Sequence, residues 1–452
     1  MRYHLITLGC QMNLSDGERI HTVLKEMGLV QTDSESDAQV VGIIACSVRQ
    51  KAIDKVYNQI ARWNKSKNHR NLITFISGCI LPDDRERFLK LFDIVFPMSE
   101  VNDLPGMITS CGVATPASLR LPVKGIPRNE QIFSLWNIQP DYQSTFEAFV
   151  PIQNGCDKFC TFCAVPYTRG REVSRPSGDI IKQVRDLIQQ GYKSITLLGQ
   201  NVNSYGLDKK GKEVNFAQLL REIGQAALQM DQMCWIYFTS PHPRDMSDEV
   251  IEAIAAFPHL ANQIHLPLQS GDEKLLVKMN RNHSMEKYRE IVHVIREKLP
   301  DATLFTDIIV GFTGEEEDQH QHTIEAMKEF RFNMAYVAQY SPRPGAASYR
   351  WEDTVPKEVK KRRLHDLNEV LQETASKYNN QKIGKTLPVL VTGSDRKPGF
   401  LKGLTEGKIN IRFPAKRSDL VGTFVELKVT GSNGLSLQGE MATVKITALA
   451  PE

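Results

Sequence analysis

Three cysteines stand close together in the middle of the chain, and their spacing is the strongest chemical signal in the sequence. Cys156, Cys160 and Cys163 form a CxxxCxxC run, here called the local triad, directly after a predicted strand. Three thiolates on one loop can each bind one iron of a 4Fe–4S cluster, which leaves the fourth iron without a protein ligand. That iron can chelate the amino and carboxylate groups of S-adenosylmethionine, and an electron from the cluster can then cleave the sulfonium to give methionine and a 5′-deoxyadenosyl radical. We therefore predict that these cysteines are both metal ligands and catalytic residues.

Zinc is the main alternative for the local triad. Structural zinc normally takes four protein ligands, commonly cysteine and histidine. The histidines nearest in sequence to the triad are His69 and His242, so no fourth ligand stands beside it. An iron–sulfur cluster is the favoured interpretation, with zinc and plain structural cysteines as the alternatives.

A second set of cysteines, here called the dispersed triad, spreads over the first 80 residues. Cys10, Cys46 and Cys79 each follow a short apolar run, and their separations of 36 and 33 residues are close to one βα repeat. Ligand sites of open parallel sheets lie outside the carboxyl ends of the strands, so these thiols are expected to converge. We predict a shared metal site, with three unrelated buried cysteines as the alternative. Cys111 and Cys234 match no ligand motif, and Cys234 begins an apolar strand as a core residue would.

Alternating strands and helices are expected to position both triads, which makes the fold class α/β. Apolar runs predict an N-terminal parallel sheet with strands at 3–8, 40–45 and 72–77. Ser15 or Asp16 is a suitable cap for the helix after the first of them. A second series fits a partial (β/α)6 barrel, whose chemistry would lie at the carboxyl ends of its strands. Its strands are predicted at 146–153, 194–198, 234–239, 263–268, 303–310 and 335–340, with helices that start near 179, 216, 247, 284 and 316.

The remaining segments differ from the βα series. Residues 112 to about 142 contain four prolines and are predicted to be irregular. Residues 356–379 predict a long charged helix, and the segment after Gly384 predicts a small β-barrel. The strands of that barrel are predicted at 387–391, 408–413 and 423–429. The predicted domains are an α/β domain at 1–117, the partial barrel at 142–378 and the small β-barrel at 379–446.

Composition and charge describe a globular protein with a basic C-terminal part. Hydrophobic residues make up 41% of the chain and charged residues 24%, which is ordinary for a soluble protein. No apolar stretch approaches the ~20 residues that span a bilayer, and the start lacks a signal-peptide pattern, so a cytoplasmic location is expected. The net charge of +3 combines +7 from Lys357 onward with −4 for the preceding residues.

A basic segment of this kind favours a polyanion partner, with a solvated basic surface as the alternative. Small β-barrels can track a phosphate backbone with basic groups and stack bases on aromatic side chains. The residues predicted to do so are Lys382, Lys385, Arg396, Lys397, Phe400, Lys402, Lys408, Arg412, Phe413, Lys416 and Arg417.

Polar residues that follow the barrel strands are candidates for binding S-adenosylmethionine. Gln200, Asn201 and Asn203 follow the second strand, and Gln269 and Ser270 follow the fourth. Both positions are at the end of the barrel where cofactors bind. Loop hydrogen bonding is the alternative role for these five side chains.

Several charged residues are weaker candidates. Arg169 and Arg171 follow the cysteine loop, and each is suited to contact a carboxylate or phosphate or to pair with an acidic side chain. Asp307 and Arg343 are further candidates for the site. His265 lies in a predicted strand, where a structural histidine is the expected role.

The chain resembles the radical S-adenosylmethionine methylthiotransferases over almost its full length. The C-terminal barrel resembles the TRAM domain of that family, an RNA-binding module. The runs that carry the resemblance are GCQMN (9–13), CSVRQKA (46–52), PIQNGC (151–156), VPYTRGR (165–171), LGQNVNSY (198–205), HLPLQSG (265–271), TDIIVGF (306–312) and YSPRPG (340–345).

The resemblance implies two 4Fe–4S clusters and S-adenosylmethionine as cofactors. The dispersed triad would hold an auxiliary cluster that supplies sulfur, and the local triad would hold the radical-generating cluster. The implied substrate is the isopentenylated adenosine beside the anticodon of tRNA, which would receive a methylthio group at C2 and would have to leave its stack. The implied partners are the tRNA anticodon stem-loop, an external electron donor and a sulfur or cluster-assembly donor.

Two other functions remain open on the sequence. One branch of the resembled family modifies an aspartate of a ribosomal protein and typically carries Gly-Cys-Pro-Lys-Asn, and a branch that acts on threonylcarbamoyl-adenosine typically has Lys-Val-Asn after the cysteine. The corresponding run here is GCQMN at 9–13, which favours the isopentenyl branch. The other function is that of a non-catalytic RNA-binding protein that contains a metal.

Overall fold

Three groups of strands organise the chain, whose computed structural model describes residues 1–46, 50–111, 132–415 and 417–442. The first group forms a parallel sheet, the second an open parallel barrel and the third a closed barrel. The predicted α/β fold class, with its partial barrel and its small C-terminal β-barrel, is therefore confirmed. Of the helices in the described ranges, none is both long enough and apolar enough to cross a membrane.

The N-terminal sheet has five strands in the order β2-β1-β3-β4-β5. All seven residues of its central strand, Val40–Cys46, are buried, as expected for a parallel strand with helices on both faces. Cys46 is aligned with Cys79 at the ends of neighbouring strands. The elements are β1 (Arg2–Thr7), α1 (Gln11–Glu26), β2 (Val30–Gln31), β3 (Val40–Cys46), α2 (Gln50–Ser66), β4 (Ile73–Cys79), α3 (Pro82–Phe88), β5 (Ile94–Val95), α4 (Leu104–Thr109) and α5 (Ile132–Asn137).

Two expectations for this region were wrong. Helix α1 begins at Gln11, so Ser15 and Asp16 are buried inside it and neither caps it. Residues 132–137 form a helix rather than an irregular segment, because their apolar side chains pack into the core of the N-terminal sheet. Residues 112–131 of the predicted irregular segment lie outside the described residues, as do residues 47–49 of the run after Cys46.

The central region is an open barrel of two parallel sheets, β6-β9-β10 and β11-β12-β13. The sheets meet where Ile236 bridges Leu260. Among the described residues, no pairing closes β13 onto β6. The elements are β6 (Glu147–Pro151), β7 (Gln153–Asn154), α6 (Val165–Arg169), β8 (Val173–Ser174), α7 (Ser177–Gln189), β9 (Ser194–Leu198), α8 (Phe216–Leu228), β10 (Trp235–Phe238), α9 (Asp248–Ala256), β11 (Gln263–His265), α10 (Glu273–Lys278), α11 (Met285–Lys298), β12 (Thr303–Val310), α12 (Glu317–Phe330), β13 (Met334–Gln339) and α13 (Lys357–Asn380).

The C-terminal barrel has five strands in the order β14-β15-β16-β18-β17. Two of them, β15 and β18, were not predicted, since both are short and each contains a glycine, Gly403 or Gly439, that interrupts the alternation of apolar residues. The strands are β14 (Thr386–Ser394), β15 (Phe400–Thr405), β16 (Asn410–Pro414), β17 (Phe424–Ser432) and β18 (Ser436–Met441).

This small barrel packs against the amino ends of the central strands. The rings of Trp235 and Phe424 are 4.6 Å apart, edge to face. At the start of β12, the Thr303 hydroxyl donates to the carbonyl oxygen of Gly407 at 2.8 Å. The carboxyl ends of the central strands therefore point away from the C-terminal barrel.

Candidate active site

The loop of the local triad follows β7 and is held by its backbone on one side. The amide of Gly155 donates to Gln200 Oε1 at 2.5 Å, and the amide of Cys156 donates to the carbonyl oxygen of Gly170 at 3.2 Å. Gly155 has φ +83°, and a Cβ there would overlap the carbonyl oxygen of Arg171. Only glycine fits this turn, which aims the first cysteine of the triad.

The segment after α10 holds the other side of the loop. The amide of Thr161 donates to the carbonyl oxygen of Met279 at 3.0 Å. Asn280 Nδ2 donates to the carbonyl oxygens of Lys158 and Phe159 at 3.2 and 3.0 Å. These bonds stabilise the left-handed backbone of Phe159, whose φ is +49°. The loop that carries the three thiols is therefore fixed from both sides.

The thiols of the local triad lie in a largely buried environment. Burial raises the pKa of Cys156 and that of Cys163 to about 12. Arg281 Nη1 lies 3.5 Å from Cys160 Sγ, and its Nη2 donates to the carbonyl oxygen of Pro267 at 2.8 Å. A cation is thus present to offset the negative charge that the thiols acquire as metal ligands. Nothing in the sequence analysis pointed to Arg281.

The dispersed triad is brought together at the carboxyl edge of the N-terminal sheet. Asn13 Oδ1 lies 3.4 Å from Cys10 Sγ and 3.7 Å from Cys79 Sγ. Its amide nitrogen donates to the carbonyl oxygen of Ala45 at 2.6 Å, which ties it to the residue before Cys46. Cys10 and Cys79 therefore converge on Asn13, and Cys46 lies beside Cys79 at the end of the neighbouring strand.

Arg169 reaches the dispersed triad from the central barrel. Its Nε donates to Cys79 Sγ at 2.8 Å, and its Nη2 donates to Asp16 Oδ2 at 2.5 Å. Burial raises the pKa of Cys79 to about 12, and the charge of Arg169 acts in the opposite direction. Of the two roles predicted for Arg169, pairing with an acidic side chain is the one observed. Arg171, by contrast, is exposed and pairs with Asp157 at 2.9 Å.

Among the residues that the structure describes, no three histidine, cysteine or acidic side chains form a group that could hold a metal ion. The role of the six triad cysteines as ligands therefore stays a prediction. Neither remaining cysteine belongs to a triad: Cys234 is buried in the core of the central barrel and Cys111 packs beside the N-terminal core.

The polar residues after β9 make hydrogen bonds within the loops. Besides Gln200, which holds Gly155, Asn201 Nδ2 donates to Asp245 Oδ2 at 3.0 Å. Both ends of the Asn203 amide bond the backbone of His242, at 2.8 and 2.9 Å. The predicted contacts with a cofactor remain untested, while loop bonding accounts for all of the Asn203 side chain.

The residues after β11 also make hydrogen bonds within the protein. Gln269 has φ +74°, and its backbone bonds both Asp307 and Ile309 of β12. Ser270 is fully buried, and its hydroxyl accepts from the amide of Asp272 at 3.2 Å. Their role in cofactor binding stays a prediction.

Several buried polar atoms at this end of the barrel have no hydrogen-bond partner among the described residues, and they include Asn201 Oδ1, His242 Nε2 and Arg281 Nε. His242 Nδ1 accepts from the amide of Arg244 at 3.1 Å, so the proton of the neutral ring is on Nε2. One acceptor and two donors are therefore free to bind a polar ligand, which would remove the cost of leaving them unpaired.

The weaker candidates lie in different places. His265 Nε2 lies 2.8 Å from Asp307 Oδ2, a pairing that supports a structural role for the histidine. Arg343 Nη1 donates to Gln50 Oε1 of α2 at 2.6 Å, so it links the central barrel to the N-terminal sheet.

The C-terminal barrel retains only part of the predicted RNA-binding set. Phe413 is fully buried in its core, and Lys408 Nζ lies 4.0 Å from the ring centroid of Tyr237. Burial lowers the pKa of Lys408 to about 8. Both assignments to RNA contact were wrong, because these side chains fill the barrel and its junction with the centre. Lys382 and Arg417 pair with Asp301 and Asp419, and Lys416 lies outside the described residues. Of the predicted basic residues in the described part of the chain, Lys385, Arg396, Lys397, Lys402 and Arg417 are exposed, and Arg412 is half-buried.

Comparison with protein families assigns three consecutive regions of the chain. Residues 2–97 match the model described as "Uncharacterized protein family UPF0004". Residues 150–327 match the radical SAM superfamily, and residues 380–442 match the TRAM domain.

Known structures of low sequence identity share the fold. A radical S-adenosylmethionine methyltransferase, TsrM from Kitasatospora setae, superposes with a TM-score of 0.55 at 12% identity, over 89% of this chain and 77% of that one. The cobalamin-dependent S-adenosylmethionine radical enzyme OxsB gives a TM-score of 0.50 at 11% identity, over 82% of this chain and 56% of that one.

Curated relatives match nearly the whole chain. A tRNA-2-methylthio-N(6)-dimethylallyladenosine synthase of Francisella tularensis subsp. holarctica is 36% identical over 442 residues, which cover 96% of this chain and 98% of the relative. A protein of the same name from Bacillus pumilus is 35% identical and covers 97% of this chain and 86% of its own length. With this identity over nearly full length, and with one cysteine triad on the N-terminal sheet and one on the radical SAM barrel, the chain belongs to the tRNA-2-methylthio-N(6)-dimethylallyladenosine synthase family.

Proposed function

We propose that the chain is a radical S-adenosylmethionine methylthiotransferase that adds a methylthio group to C2 of N6-isopentenyladenosine next to the anticodon of tRNA. The observation that carries the proposal is the contact between the dispersed triad and the helix that follows the local triad. Arg169, from that helix, contacts Cys79 of the dispersed triad at 2.8 Å. A reaction that joins sulfur to a carbon radical needs a sulfur-bearing centre near a radical-generating one, and this contact supports such an arrangement.

The residues of the two triads fit iron–sulfur clusters. Each thiolate of a cluster binds a different iron, so the ligand sulfurs lie farther apart than around a single ion. When bound, a 4Fe–4S cluster on the local triad supplies the electron that cleaves S-adenosylmethionine to the 5′-deoxyadenosyl radical. The dispersed triad would hold the second cluster, with Arg169 beside Cys79 to offset thiolate charge.

The chain's own residues would bind and orient S-adenosylmethionine. The unpaired atoms of Asn201, His242 and Arg281 offer one acceptor and two donors at the carboxyl end of the barrel. Lys158, inside the cysteine loop, pairs with Asp245 at 2.5 Å, and Asp245 in turn bonds Asn201. This network ties the cluster loop to the loop after β9, so the bound cofactor and the local triad would keep a fixed relation.

Water exclusion at the site follows from apolar contacts between the N-terminal and central regions. Met12 of α1 packs against Phe149 and Leu198 on the first two strands of the barrel. These three apolar side chains keep water from this side of the barrel, and a dry site strengthens the electrostatic interactions that would hold a polar cofactor.

The C-terminal barrel would hold the RNA at a distance from the chemistry. Its exposed basic residues include Lys397, whose Nζ lies 4.1 Å from the ring centroid of Phe400. The barrel packs at the amino ends of the central strands, whereas the local triad is at their carboxyl ends. A folded RNA can reach both ends at once, which a free nucleotide cannot, and this favours a tRNA substrate over a nucleoside.

Two partners are needed from outside the chain. An electron donor must reduce the radical-generating cluster, and a sulfur or cluster-assembly donor must replace the sulfur that leaves with the product. The proposal assigns neither by name.

The test is anaerobic turnover of the reconstituted full-length protein with dithionite and S-adenosylmethionine on tRNA that bears the isopentenyl group. Mass spectrometry of the digested tRNA should show the methylthio nucleoside for the wild type and for Cys234→Ala, a control in the barrel core. Cys160→Ala should give none. Absence of the nucleoside from a wild-type preparation that forms 5′-deoxyadenosine would contradict the tRNA substrate, and the ribosomal-protein aspartate would be tested next.

A further inference from the structure

One turn of the chain, at residues 169–170, contacts both triads. On its backbone side, the carbonyl oxygen of Arg169 accepts from Asn154 Nδ2 at 2.8 Å, and that of Gly170 accepts from the amide of Cys156 at 3.2 Å. On its side-chain side, Arg169 Nε donates to Cys79 Sγ at 2.8 Å. The start of the cysteine loop and one thiol of the dispersed triad are therefore attached to the same rigid element.

The charge of Arg169 is buried and has a single acidic partner among the described residues. Its side chain is 5% exposed and that of Asp16 is 3% exposed, and the two are joined at 2.5 Å. A buried ion pair is often no more stable than apolar side chains of the same volume, because desolvation offsets the attraction between the charges. Stability alone therefore does not explain why this pair lies at the boundary between two regions of the protein.

Geometry offers a better reason. A guanidinium is planar and presents donors in a fixed fork, so one arginine can bind a carboxylate and a sulfur at the same time in a defined orientation. Asp16 and Cys79 belong to α1 and β4 of the N-terminal sheet, whereas Arg169 ends α6 of the central barrel. The guanidinium fork thus fixes the N-terminal sheet against α6, the helix that directly follows the local triad.

We propose that Arg169 is a positioning residue that sets the separation of the two centres and stabilises the Cys79 sulfur as a thiolate ligand. This inference rests on the proposed function, since it requires that the dispersed triad holds a cluster. A donor and a positive charge at a ligand sulfur favour the reduced, more negative state of a cluster. Loss of Arg169 should therefore make that cluster harder to reduce and should loosen the coupling between radical formation and methylthio transfer.

The reduction potential of the cluster on the dispersed triad is the first readout. It is measured by EPR-monitored titration in a full-length background in which Cys156, Cys160 and Cys163 are all alanine, so that only the dispersed triad binds iron. In that background we compare Arg169→Lys, the charge-neutral double variant Arg169→Gln/Asp16→Asn and the matched control Arg171→Gln. Arg171 is two residues away and exposed, and it pairs with Asp157.

The double variant avoids an uncompensated buried carboxylate, so it should fold and keep its iron, with a potential more negative than that of the background. Arg169→Lys keeps the charge without the fork and should give a smaller shift. Arg171→Gln should give none. If the double variant fails to fold, the test rests on Arg169→Lys. A reduction potential for Arg169→Lys equal to that of the background protein would overturn the role of the guanidinium fork.

The second readout is the yield of 5′-deoxyadenosine per methylthio nucleoside in the protein with both triads intact. A severalfold rise in this ratio is expected for the Arg169 variants, and none for Arg289→Gln, a control on α11 whose exposed side chain pairs with Glu329. Suppose that the dispersed triad binds iron, and that neither its reduction potential nor the product ratio changes in the Arg169 variants. This result would overturn the present inference but not the proposed function. A dispersed triad that binds no iron even with Arg169 present would overturn the proposed function as well.

Discussion

The two cysteine triads reach similar surroundings by opposite routes. The local triad lies within 8 residues of one loop, so its thiols are neighbours in any conformation of the chain. The dispersed triad spans 70 residues and exists only when the N-terminal sheet has formed, because Cys46 and Cys79 are aligned at the ends of β3 and β4. Ligand proximity is thus a property of sequence in the first case and of topology in the second.

Both triads nevertheless use the same local devices. A glycine with positive φ precedes at least one cysteine in each: Gly155 before Cys156, with φ +83°, and in the dispersed triad Gly9 before Cys10 and Gly78 before Cys79, with φ +130° and +106°. An arginine also donates to one sulfur of each triad, Arg281 in the local one and Arg169 in the dispersed one. We therefore expect the thiols of the two triads to need the same kind of surroundings. The difference in sequence spacing instead predicts that substitutions near the two triads affect folding stability differently.

The largest expected effect separates the chemical roles of the triads. Cys160→Ala should abolish 5′-deoxyadenosine formation, because our proposal assigns the radical-generating cluster to the local triad. Cys79→Ala should abolish the methylthio nucleoside while 5′-deoxyadenosine is still formed. Both products are measured in one anaerobic assay by mass spectrometry. Loss of 5′-deoxyadenosine in an iron-loaded Cys79→Ala protein would contradict separate chemical roles for the two triads, since radical formation would then depend on both.

The second prediction separates their dependence on the fold. Gly78→Ala would place a Cβ against the carbonyl oxygen of Ala45, inside the N-terminal sheet. We expect it to lower the free energy of unfolding by about 2–4 kcal/mol, in the range of strained backbone substitutions in a core. Gly155→Ala would also overlap a carbonyl oxygen, that of Arg171, but in a loop outside the sheets that can shift to relieve the overlap. It should therefore cost less stability, although it should reduce iron binding by the local triad.

Urea unfolding of the iron-free proteins gives both values for the glycine variants. Gly178→Ala is the matched control, since it lies in the first turn of α7 and its Cβ would meet nothing within 4 Å. Equal losses of stability for Gly78→Ala and Gly155→Ala would show that the topology of the sheet does not set the difference between the triads.

A third, smaller effect concerns Asn13, on which two thiols of the dispersed triad converge. Asn13→Ala removes the donor to the carbonyl oxygens of Leu8 and Ala45 and the acceptor for two thiols. Leaving buried groups unpaired costs about 1–3 kcal/mol each, so a loss of this order is expected in thermal unfolding. Iron should fall in the dispersed triad alone, which a chelation assay in the Cys160→Ala background measures. Unchanged iron content would remove Asn13 from the site.

The same contrast explains which parts of the site could be predicted from sequence. The CxxxCxxC spacing reveals the local triad directly, and the βα repeat length reveals that the dispersed thiols converge. The arginines and Asn13 could not be assigned their contacts, because each bonds a residue distant along the chain. Asp16 shows the limit most clearly: a local capping rule placed it at a helix start, whereas Arg169, 153 residues away, is its partner in the structure. Helix α5 was missed for a similar reason, since its packing against the N-terminal core outweighs the nearby prolines.

The smallest predicted effect concerns pH and the helix that supports the dispersed triad. Glu18 of α1 is buried, and burial together with neighbouring carboxylates raises its pKa from 4.5 to about 7. Between these two values the folded chain holds a proton that the unfolded chain has lost, so stability falls as pH rises from 4.5 to 7 and is level above that. The loss from this group is on the order of 2–3 kcal/mol.

Glu18→Gln should remove that loss, so the variant gains stability relative to the wild type at pH 8 and not at pH 4.5. Glu26→Gln, at an exposed position of the same helix, is the matched control and should leave the pH profile unchanged. Denaturant unfolding at both pH values measures the difference. A parallel loss in wild type and Glu18→Gln would show that the acid is ionised in the fold. In that case α1, and with it the support of the dispersed triad, would tolerate a buried carboxylate, with Arg19 as its charged neighbour.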